Sequence, residues 1–277
     1  MPEGAEVARV AISLHEKIAG YWIYTIKINE KSRYYRFGSI DKLERLRFPI
    51  FISRIYPKGK KIIFECKDRK GSNVYLVSLL AMTGRWQYTK GIHSGIEMTL
   101  FKTDFEDELS LFFDDVRHFG SFILCLSIAD LQESMKGVGP DLLNEYIPFQ
   151  FYKEVLTNKR LSKKEICAFL LEQKYFSGIG NWVRAEVLYE SKIAPWRPLG
   201  SLNETELYVL YYNSIKVLRE AYQVRGLTIS NYIDPDGNTG TYEVKVYGKE
   251  KDPFGNEVSR TTYSDKRTMH WVPNIQK

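Results

Sequence analysis

The chain changes character near residue 129, and that change limits its fold more than any single motif does. Before it, segments 21–29, 48–56, 61–67, 73–80, 96–102, 109–114 and 121–128 are short and rich in Ile, Val, Tyr and Phe. Turn clusters such as Pro57-Lys58-Gly59 and Asp68-Arg69-Lys70-Gly71 separate them. Seven or eight short strands at this density predict a β-sandwich or barrel. After it, segments 129–135, 141–147, 149–157, 162–174, 181–191 and 203–224 read as helices. From Gly226 the pattern loosens, and Asp234-Pro235-Asp236-Gly237-Asn238 is a strong loop signal. Segments 241–247, 258–264 and 267–272 predict a small terminal hairpin. The expected plan is an α+β multidomain protein: a β domain over 1–128, a helical domain over 129–240 and a β appendage over 241–277. A chain of 277 residues can bury two separate cores.

Local signals refine this plan. Val7, Val10, Ala11, Leu14 and Ile18 recur at helical spacing, so residues 3–19 read as one amphipathic helix that Gly20 stops. Ser162 followed by Glu165 reads as a capping box, and Asn203 followed by Glu206 as a looser cap. Gly178-Ile179-Gly180 is a tight turn between two helices.

The net charge of +6 and a pI near 9.0 point to a polyanionic partner without identifying one. Between Lys31 and Lys61 stand ten Lys or Arg residues and only two acids, Asp41 and Glu44, interleaved with Tyr34, Tyr35, Phe37, Phe48, Phe51 and Tyr56. That mixture fits a nucleic-acid face, or equally a solvated basic sheet edge. Cys66, Cys125 and Cys167 are widely spaced in apolar segments, so buried thiols in a reducing compartment are expected, not a disulfide framework. The first 20 residues lack a basic run followed by an apolar one, and no 18-residue apolar stretch occurs. An intracellular protein, nuclear or cytoplasmic, is therefore expected, not a secreted or membrane-spanning one.

The start of the chain, Met1-Pro2-Glu3-Gly4-Ala5-Glu6, carries possible chemistry. Proline suits a first helical position, and acids suit the positive end of a helix dipole. Alternatively, removal of Met1 exposes a prolyl secondary amine beside a carboxylate. An α-amine releases its proton near pH 8 (about 7.7–8.0), against about 10.4 for a lysine, so a useful fraction is free base at neutral pH. Attack by such an amine on a sugar carbon leads to an iminium, an electron sink. A second stretch, Tyr175 to Glu190, runs a glycine-rich turn into a helix start. Free N–H groups there could receive an anion, with Asn181 capping the helix or donating to a phosphate; a close crossing that needs glycine is the other reading.

Six stretches together resemble the formamidopyrimidine-DNA glycosylase/endonuclease VIII family. They are the opening with Pro2, Glu3 and Glu6; Pro57-Lys58-Gly59-Lys60-Lys61-Ile62-Ile63; Ala81-Met82-Thr83-Gly84-Arg85-Trp86; Asp115-Val116-Arg117-His118-Phe119-Gly120; segment 172–190; and segment 245–272. They are collinear and span almost the whole chain. The resemblance implies an N-terminal helix with a two-layer β-sandwich, a helical domain with a helix–two-turns–helix, and a C-terminal β-hairpin finger.

It also implies a bifunctional glycosylase and abasic-site lyase of base-excision repair, with a monomer acting on DNA that carries damaged bases or abasic sites. Pro2 would be the nucleophile, Glu3 the general acid/base, Lys60 a cation beside the amine or a phosphate, and Glu6 an orienting group or proton donor to the base. Met82, Arg117 and Phe119 would fill the gap left by the flipped base; on the residues alone, Met82 and Phe119 read as core packing. Asn181 and Arg267 would hold phosphate. A non-catalytic damaged-DNA-binding protein on the same scaffold is the alternative, and a proline-dependent tautomerase a remote one.

Departures from the family pattern carry information. Most members place four cysteines in the finger around zinc, but here no cysteine follows Cys167 and His270 alone makes no site. No metal and no cofactor are expected. The chain resembles the zinc-less branch similar to endonuclease VIII, with Tyr247, Phe254, Tyr263 and Trp271 packing in place of metal. That branch implies oxidised pyrimidine and hydantoin lesions, selected by a loop around 225–243. His118 stands where a second arginine is usual, and Ala5 where proline is usual.

Overall fold

The computed structural model describes residues 1–32, 34, 40–103, 107–227 and 233–277. Tyr35 and Phe37 of the basic–aromatic run, and residues 228–232 of the expected lesion loop, lie outside the described residues. The chain divides into two compact units. The first holds residues 1–2, 6–136 and the described part of 228–240; the second holds 3–5, 137–227 and 241–277.

In the first unit, helix α1 (Gly4–Ile18), from Glu6 onward, precedes an antiparallel ladder. Its strands are β1 (Trp22–Ile28), β2 (Ile50–Lys58), β3 (Lys61–Lys67), β4 (Asn73–Leu79), β5 (Gly84–Gln87), β6 (Ser94–Phe101), β7 (Leu109–Asp115) and β8 (Ser121–Cys125). A helical turn, α2 (Ile40–Leu43), lies between β1 and β2 among the described residues, and α3 (Ile128–Ser134) follows β8. The strand order is β5-β7-β6-β1-β2-β3-β4-β8.

Aromatic packing makes this one ladder into two layers. Trp86 on the β5 edge donates its indole N–H to Ser78 Oγ on β4 at 3.1 Å. Its ring centroid lies 5.4 Å from that of Phe64 on β3 and 6.2 Å from that of Phe122 on β8. Since β5 and β8 are opposite edges of the ladder, the sheet folds over on itself. Val7, Val10, Ala11, Leu14 and Ile18, the helical stripe expected of α1, are sealed into the same core as Phe64, Trp86 and Phe113. Full burial of such a side chain contributes about 1.5–3 kcal/mol. The sequence reading missed β5, whose four residues are too short for periodicity to show.

The second unit contains α4 (Phe149–Leu156), α5 (Ile166–Leu170), α6 (Asn181–Glu190), α7 (Glu204–Gln223) and the hairpin β9 (Ser259–Thr262)–β10 (Thr268–Trp271). Single 3-10 turns occupy Lys159–Leu161 and Leu199–Ser201. At α7 the cap is a full capping box: Asn203 Oδ1 accepts the Glu206 N–H, and the Glu206 carboxylate accepts the Asn203 N–H.

Four expectations are corrected. The Ser162–Glu165 box does not form. Ser162 Oγ donates instead to the Lys159 carbonyl, and the Glu165 carboxylate accepts from the backbone and hydroxyl of Ser264. Residues 141–147 are not a helix, because the Asp141 carboxylate takes the N–H groups of Leu143 and Asn144 and closes a turn. Residues 241–247 form no extended strand; the N–H groups of Lys245, Val246 and Tyr247 all point to the Glu186 carboxylate. Phe254 packs nothing, being 81% exposed at the tip of a turn closed by Asp252.

The other finger aromatics do pack. Tyr247 lies against His270, and both Tyr263 and Trp271 lie against Trp196. Cys66, Cys125 and Cys167 are buried free thiols, as expected.

Candidate active site and DNA interface

The candidate residues fall into two groups, one in each unit. In the second unit the chain start meets α6. The Glu3 carboxylate, 2% exposed, accepts the Trp182 N–H at 3.0 Å on Oε1 and the Val183 N–H at 3.1 Å on Oε2. These are among the first N–H groups of α6, which have no partner within their own helix. Gly180, the residue before α6, offers no side-chain cap, so Glu3 does the work of one from a distant part of the chain. The helix dipole favours the anion there.

The glycines of the turn make room for this approach. The Gly4 N–H donates to the Gly178 carbonyl at 2.8 Å, and a Cβ on Gly4 would lie 3.0 Å from Gly178 Cα. A Cβ on Gly180 would overlap the Glu3 carboxylate itself. Gly178 has φ +106°, a left-handed conformation that suits glycine. So the anion at this helix start is the chain's own Glu3. The close approach served by the glycines is to Glu3 and Gly4, not to a second helix.

Asn181 opens α6 but does not cap it. Its amide N–H donates to the Thr268 carbonyl on β10 at 3.2 Å, and its Oδ1 accepts from Arg184 at 2.7 Å. Arg184 is fully buried and also holds the Cys167 carbonyl and the Asp265 carboxylate. Arg267 is exposed on the turn between β9 and β10.

Glu186 is likewise fully buried and accepts three backbone N–H bonds from the finger. Burial pushes its carboxyl upward, opposed by those bonds and by Lys245. Asp252 accepts the Tyr189 hydroxyl at 3.1 Å, and Gln276 spans from the Val272 N–H to the Ile193 carbonyl. The finger is thus joined to the helices by polar side chains as well as aromatic rings. Among the described residues, no group of three or more His, Cys, Asp or Glu is placed to hold a metal ion.

The first unit holds Pro2, Glu6, Lys60, Met82, Arg117 and Phe119. Pro2 is buried and precedes α1, whose first residue is Gly4. Glu6 is fully buried on α1. Lys60 and Gly59 form the two-residue turn joining β2 to β3, closed by the Lys58–Lys61 pair, with Gly59 at φ 59°. The neighbouring Lys61 turns its amine to the Ser134 carbonyl, and burial lowers its basicity.

Met82 and Phe119 stand out of the core, 40% and 53% exposed, which removes the core-packing reading for both. Arg117 Nη1 lies 3.7 Å from Met82 Sδ, so these two side chains meet; Phe119 is placed on the same loop as Arg117. A buried residue organises them. Asp115 Oδ1 accepts the Thr83 hydroxyl and the Arg117 N–H, and Oδ2 accepts the Tyr34 hydroxyl at 2.7 Å and the Gly120 N–H at 2.8 Å. Asp115 and Thr83 were not among the expected functional residues, although both stand in the motifs that contain Met82 and Arg117. The ring of His118, which has φ 51°, packs against Tyr34.

The basic–aromatic run does not present a face of stacked rings among its described residues. Tyr34 is buried, Phe48 packs on the core, Phe51 meets Trp22, and Tyr56 lies 4.3 Å beneath the Arg54 guanidinium. Of the expected lesion loop, Asp236 is described in the first unit, where it accepts the Ser13 hydroxyl on α1 at 2.6 Å.

Three family profiles match in order: the formamidopyrimidine-DNA glycosylase N-terminal domain over residues 1–122, its H2TH domain over 138–232 and its C-terminal domain over 233–277. A formamidopyrimidine-DNA glycosylase of Exiguobacterium is 30% identical over 288 residues, covering all of both chains. The chain belongs to the formamidopyrimidine-DNA glycosylase family. As such a glycosylase it is a base-excision repair enzyme, with abasic-site lyase activity, acting on damaged bases in DNA.

Solved glycosylases agree in fold. The Lactococcus lactis Fpg bound to DNA containing an abasic site superposes with a TM-score of 0.85 at 29% identity over 99% of both chains. The same protein bound to DNA containing an oxidized pyrimidine gives 0.83 at 27% identity over all of both. No helix among the described residues of this glycosylase is long and apolar enough to cross a membrane.

Proposed function

We propose that this glycosylase works through a Schiff base on Pro2 and prefers oxidised pyrimidines and hydantoins. The observation that carries the catalytic reading is the Glu3 carboxylate, buried and fixed by two N–H bonds on α6, in the residue next to Pro2. Fixed geometry is what a general acid/base needs.

With Met1 removed, the Pro2 nitrogen attacks C1′ and the base leaves with the bonding pair, taking up a proton. The Glu3 carboxylate takes the proton that the Pro2 nitrogen sheds on attack and passes it to O4′ as the sugar ring opens, leaving an iminium at C1′. That iminium acidifies the 2′ hydrogen. Its loss expels the 3′ phosphate, and a second elimination expels the 5′ phosphate. Water then hydrolyses the iminium and frees Pro2. Lys60 favours the unprotonated amine or holds a phosphate, and Glu6 orients the amine or protonates the base.

Residues 1–128 carry the chemistry, 129–240 the helical DNA contact and 241–277 the finger. Met82, Arg117 and Phe119 occupy the gap left by the flipped base, supported by the exposure of Met82 and Phe119 and the Met82–Arg117 contact. Asn181 and Arg267 hold phosphates near the lesion. The pyrimidine and hydantoin preference rests on the cysteine-free finger and the Gly178-Ile179-Gly180-Asn181-Trp182-Val183-Arg184-Ala185-Glu186-Val187-Leu188-Tyr189 phrase, both features of the branch similar to endonuclease VIII. The oxidized-pyrimidine complex of the Lactococcus lactis relative is compatible with such lesions on this scaffold.

The test is borohydride trapping of the Met-free protein on abasic DNA, with a panel of lesion duplexes scored for base release and strand cleavage. A covalent adduct that Pro2→Gly abolishes, with faster release of oxidised pyrimidines than of 8-oxoguanine, is expected. Absence of an adduct sinks the Pro2 mechanism and favours a non-catalytic DNA-binding protein. Preferential 8-oxoguanine release overturns the branch assignment alone.

A further inference from the structure

The turn between β9 and β10 is gripped at three points by side chains from the helices. The Glu165 carboxylate accepts from Ser264, Arg184 pairs with Asp265, and the Asn181 amide donates to the Thr268 carbonyl at 3.2 Å. Arg184 is the centre of this arrangement. It is fully exposed to no solvent, and its two terminal nitrogens reach Asp265, the Cys167 carbonyl and Asn181 Oδ1.

Asp265 then passes the constraint on. While Oδ2 takes Arg184, Oδ1 accepts the backbone N–H of Arg267 at 2.9 Å. The intervening Lys266 is held at φ 58°, which turns the chain sharply between the two. Arg267 and Asn181, the two phosphate-holding residues of the proposed function, are therefore both bonded to one buried guanidinium network.

A buried guanidinium without its carboxylate is strongly disfavoured, so this ion pair tolerates few arrangements of the turn. We infer that Arg184, acting through Asp265, is a positioning residue that sets Arg267 and Asn181 for DNA phosphate. In a finger without cysteine ligands, the Arg184–Asp265 pair fixes the β9–β10 turn, while Glu186 holds residues 245–247. This inference rests on the reading of Arg267 as a phosphate ligand.

The test is the affinity of the full-length protein for a duplex carrying a tetrahydrofuran abasic analogue, measured across a salt series. The proteins compared are wild type, Asp265→Asn, Asp265→Glu, Arg267→Ala and the Asp265→Asn/Arg267→Ala double variant. Asn is isosteric and can still accept the Arg267 N–H, so the change removes the ion pair and little else.

Arg267→Ala is expected to weaken binding roughly 10- to 150-fold, the range for a lost bond to a charged partner. It should also reduce the salt slope by about 0.9, the value for one phosphate contact. Asp265→Asn should lose at least about fivefold with a similar fall in slope, and the double variant should bind no worse than Arg267→Ala. Asp265→Glu, which restores the charge, should recover most of the loss.

A purely structural role would leave the slope unchanged and make the two losses additive, and either result overturns the inference. Wild-type binding by Asp265→Asn overturns it as well. Wild-type binding by Arg267→Ala overturns the phosphate reading first, and the inference with it. Should Asp265→Asn fail to fold by circular dichroism, the Arg184→Lys variant decides on the same slope and additivity criteria.

Discussion

Gly180 and Glu3 are fitted to each other: the space that a Cβ on Gly180 would fill is occupied by the Glu3 carboxylate. The carboxylate needs that space to reach the Trp182 and Val183 N–H groups. Gly180→Ala therefore displaces Glu3 and leaves the start of α6 uncapped. Overpacking of this kind costs about 1–3 kcal/mol. A lowered Tm and at least a tenfold slower cleavage of abasic duplex are expected. Cleavage at the wild-type rate would show that the fixed position of Glu3 is not needed.

Glu3→Gln separates charge from shape. The amide keeps one oxygen to accept from α6 but turns an NH2 toward the other helix N–H. Loss of a cap of this type costs about 0.5–2 kcal/mol. Base release and strand cleavage should both fall severely while the protein stays folded at 25 °C. Turnover unchanged by this substitution would remove Glu3 from the proton transfers.

Asp115 is the support for the loop that carries Arg117 and Phe119. Its carboxylate serves Thr83, Arg117, Tyr34 and Gly120 from a fully buried position. Removing it strands the buried Tyr34 hydroxyl and the part-buried Thr83 and Gly120 donors, and a buried donor left unpaired costs about 1–3 kcal/mol. Asp115→Ala should lower stability by about 3 kcal/mol or more in urea unfolding. Thr83→Val, which removes one donor, should be milder and slow base excision more than cleavage of a pre-formed abasic site, where no base must be flipped.

The finger is predicted to be insensitive to chelators. The contacts that join it to α6 include the Glu186 carboxylate on three backbone N–H groups, the Tyr189–Asp252 hydrogen bond and the Arg184–Asp265 pair. Incubation with EDTA should leave Tm and cleavage rate unchanged. Glu186→Ala, by contrast, should cost about 3 kcal/mol or more by leaving those N–H groups unpaired. A fall in Tm with EDTA would mean that metal, not Glu186, docks the finger.

His270 gives the finger a pH dependence. Burial, then Arg260 and Arg184, lower its basicity, and its ring lies 5.0 Å from that of Tyr247. The folded state thus disfavours the proton that the unfolded chain accepts near about pH 6.5. The contribution is fully present above that pH and is lost as pH falls toward the lowered folded value. Tm should decline between pH 7.5 and 5.5, and His270→Asn should flatten the decline. An identical slope in the variant would assign the effect elsewhere.

Much of the fold was legible from local pattern. The stripe Val7, Val10, Ala11, Leu14 and Ile18 predicts α1 because one helix face must be apolar to be buried. Seven strands followed from β-branched and aromatic runs between turn clusters. Where local pattern misled, a distant carboxylate had taken the backbone donors. Glu186 takes those of 245–247, so no strand forms there, and Glu165 turns to Ser264 instead of closing a box with Ser162. Asp141 shows the same competition at short range.

The candidate site divides in the same way. Residue types and their order alone determined that Pro2, Glu3 and Asn181 were worth testing, because an amine beside a carboxylate and a glycine-rich helix start have chemistry independent of context; Met82, Arg117 and Arg267 came only with the family resemblance. Tertiary structure alone decided that the α6 start receives Glu3, that Met82 and Phe119 stand out of the core, and that Arg184, Glu186 and Asp115 are buried supports. The physical reason is burial. A charged residue in a sequence reads as a surface residue until the partners that compensate its desolvation, here separated from it by up to 180 residues, are brought around it.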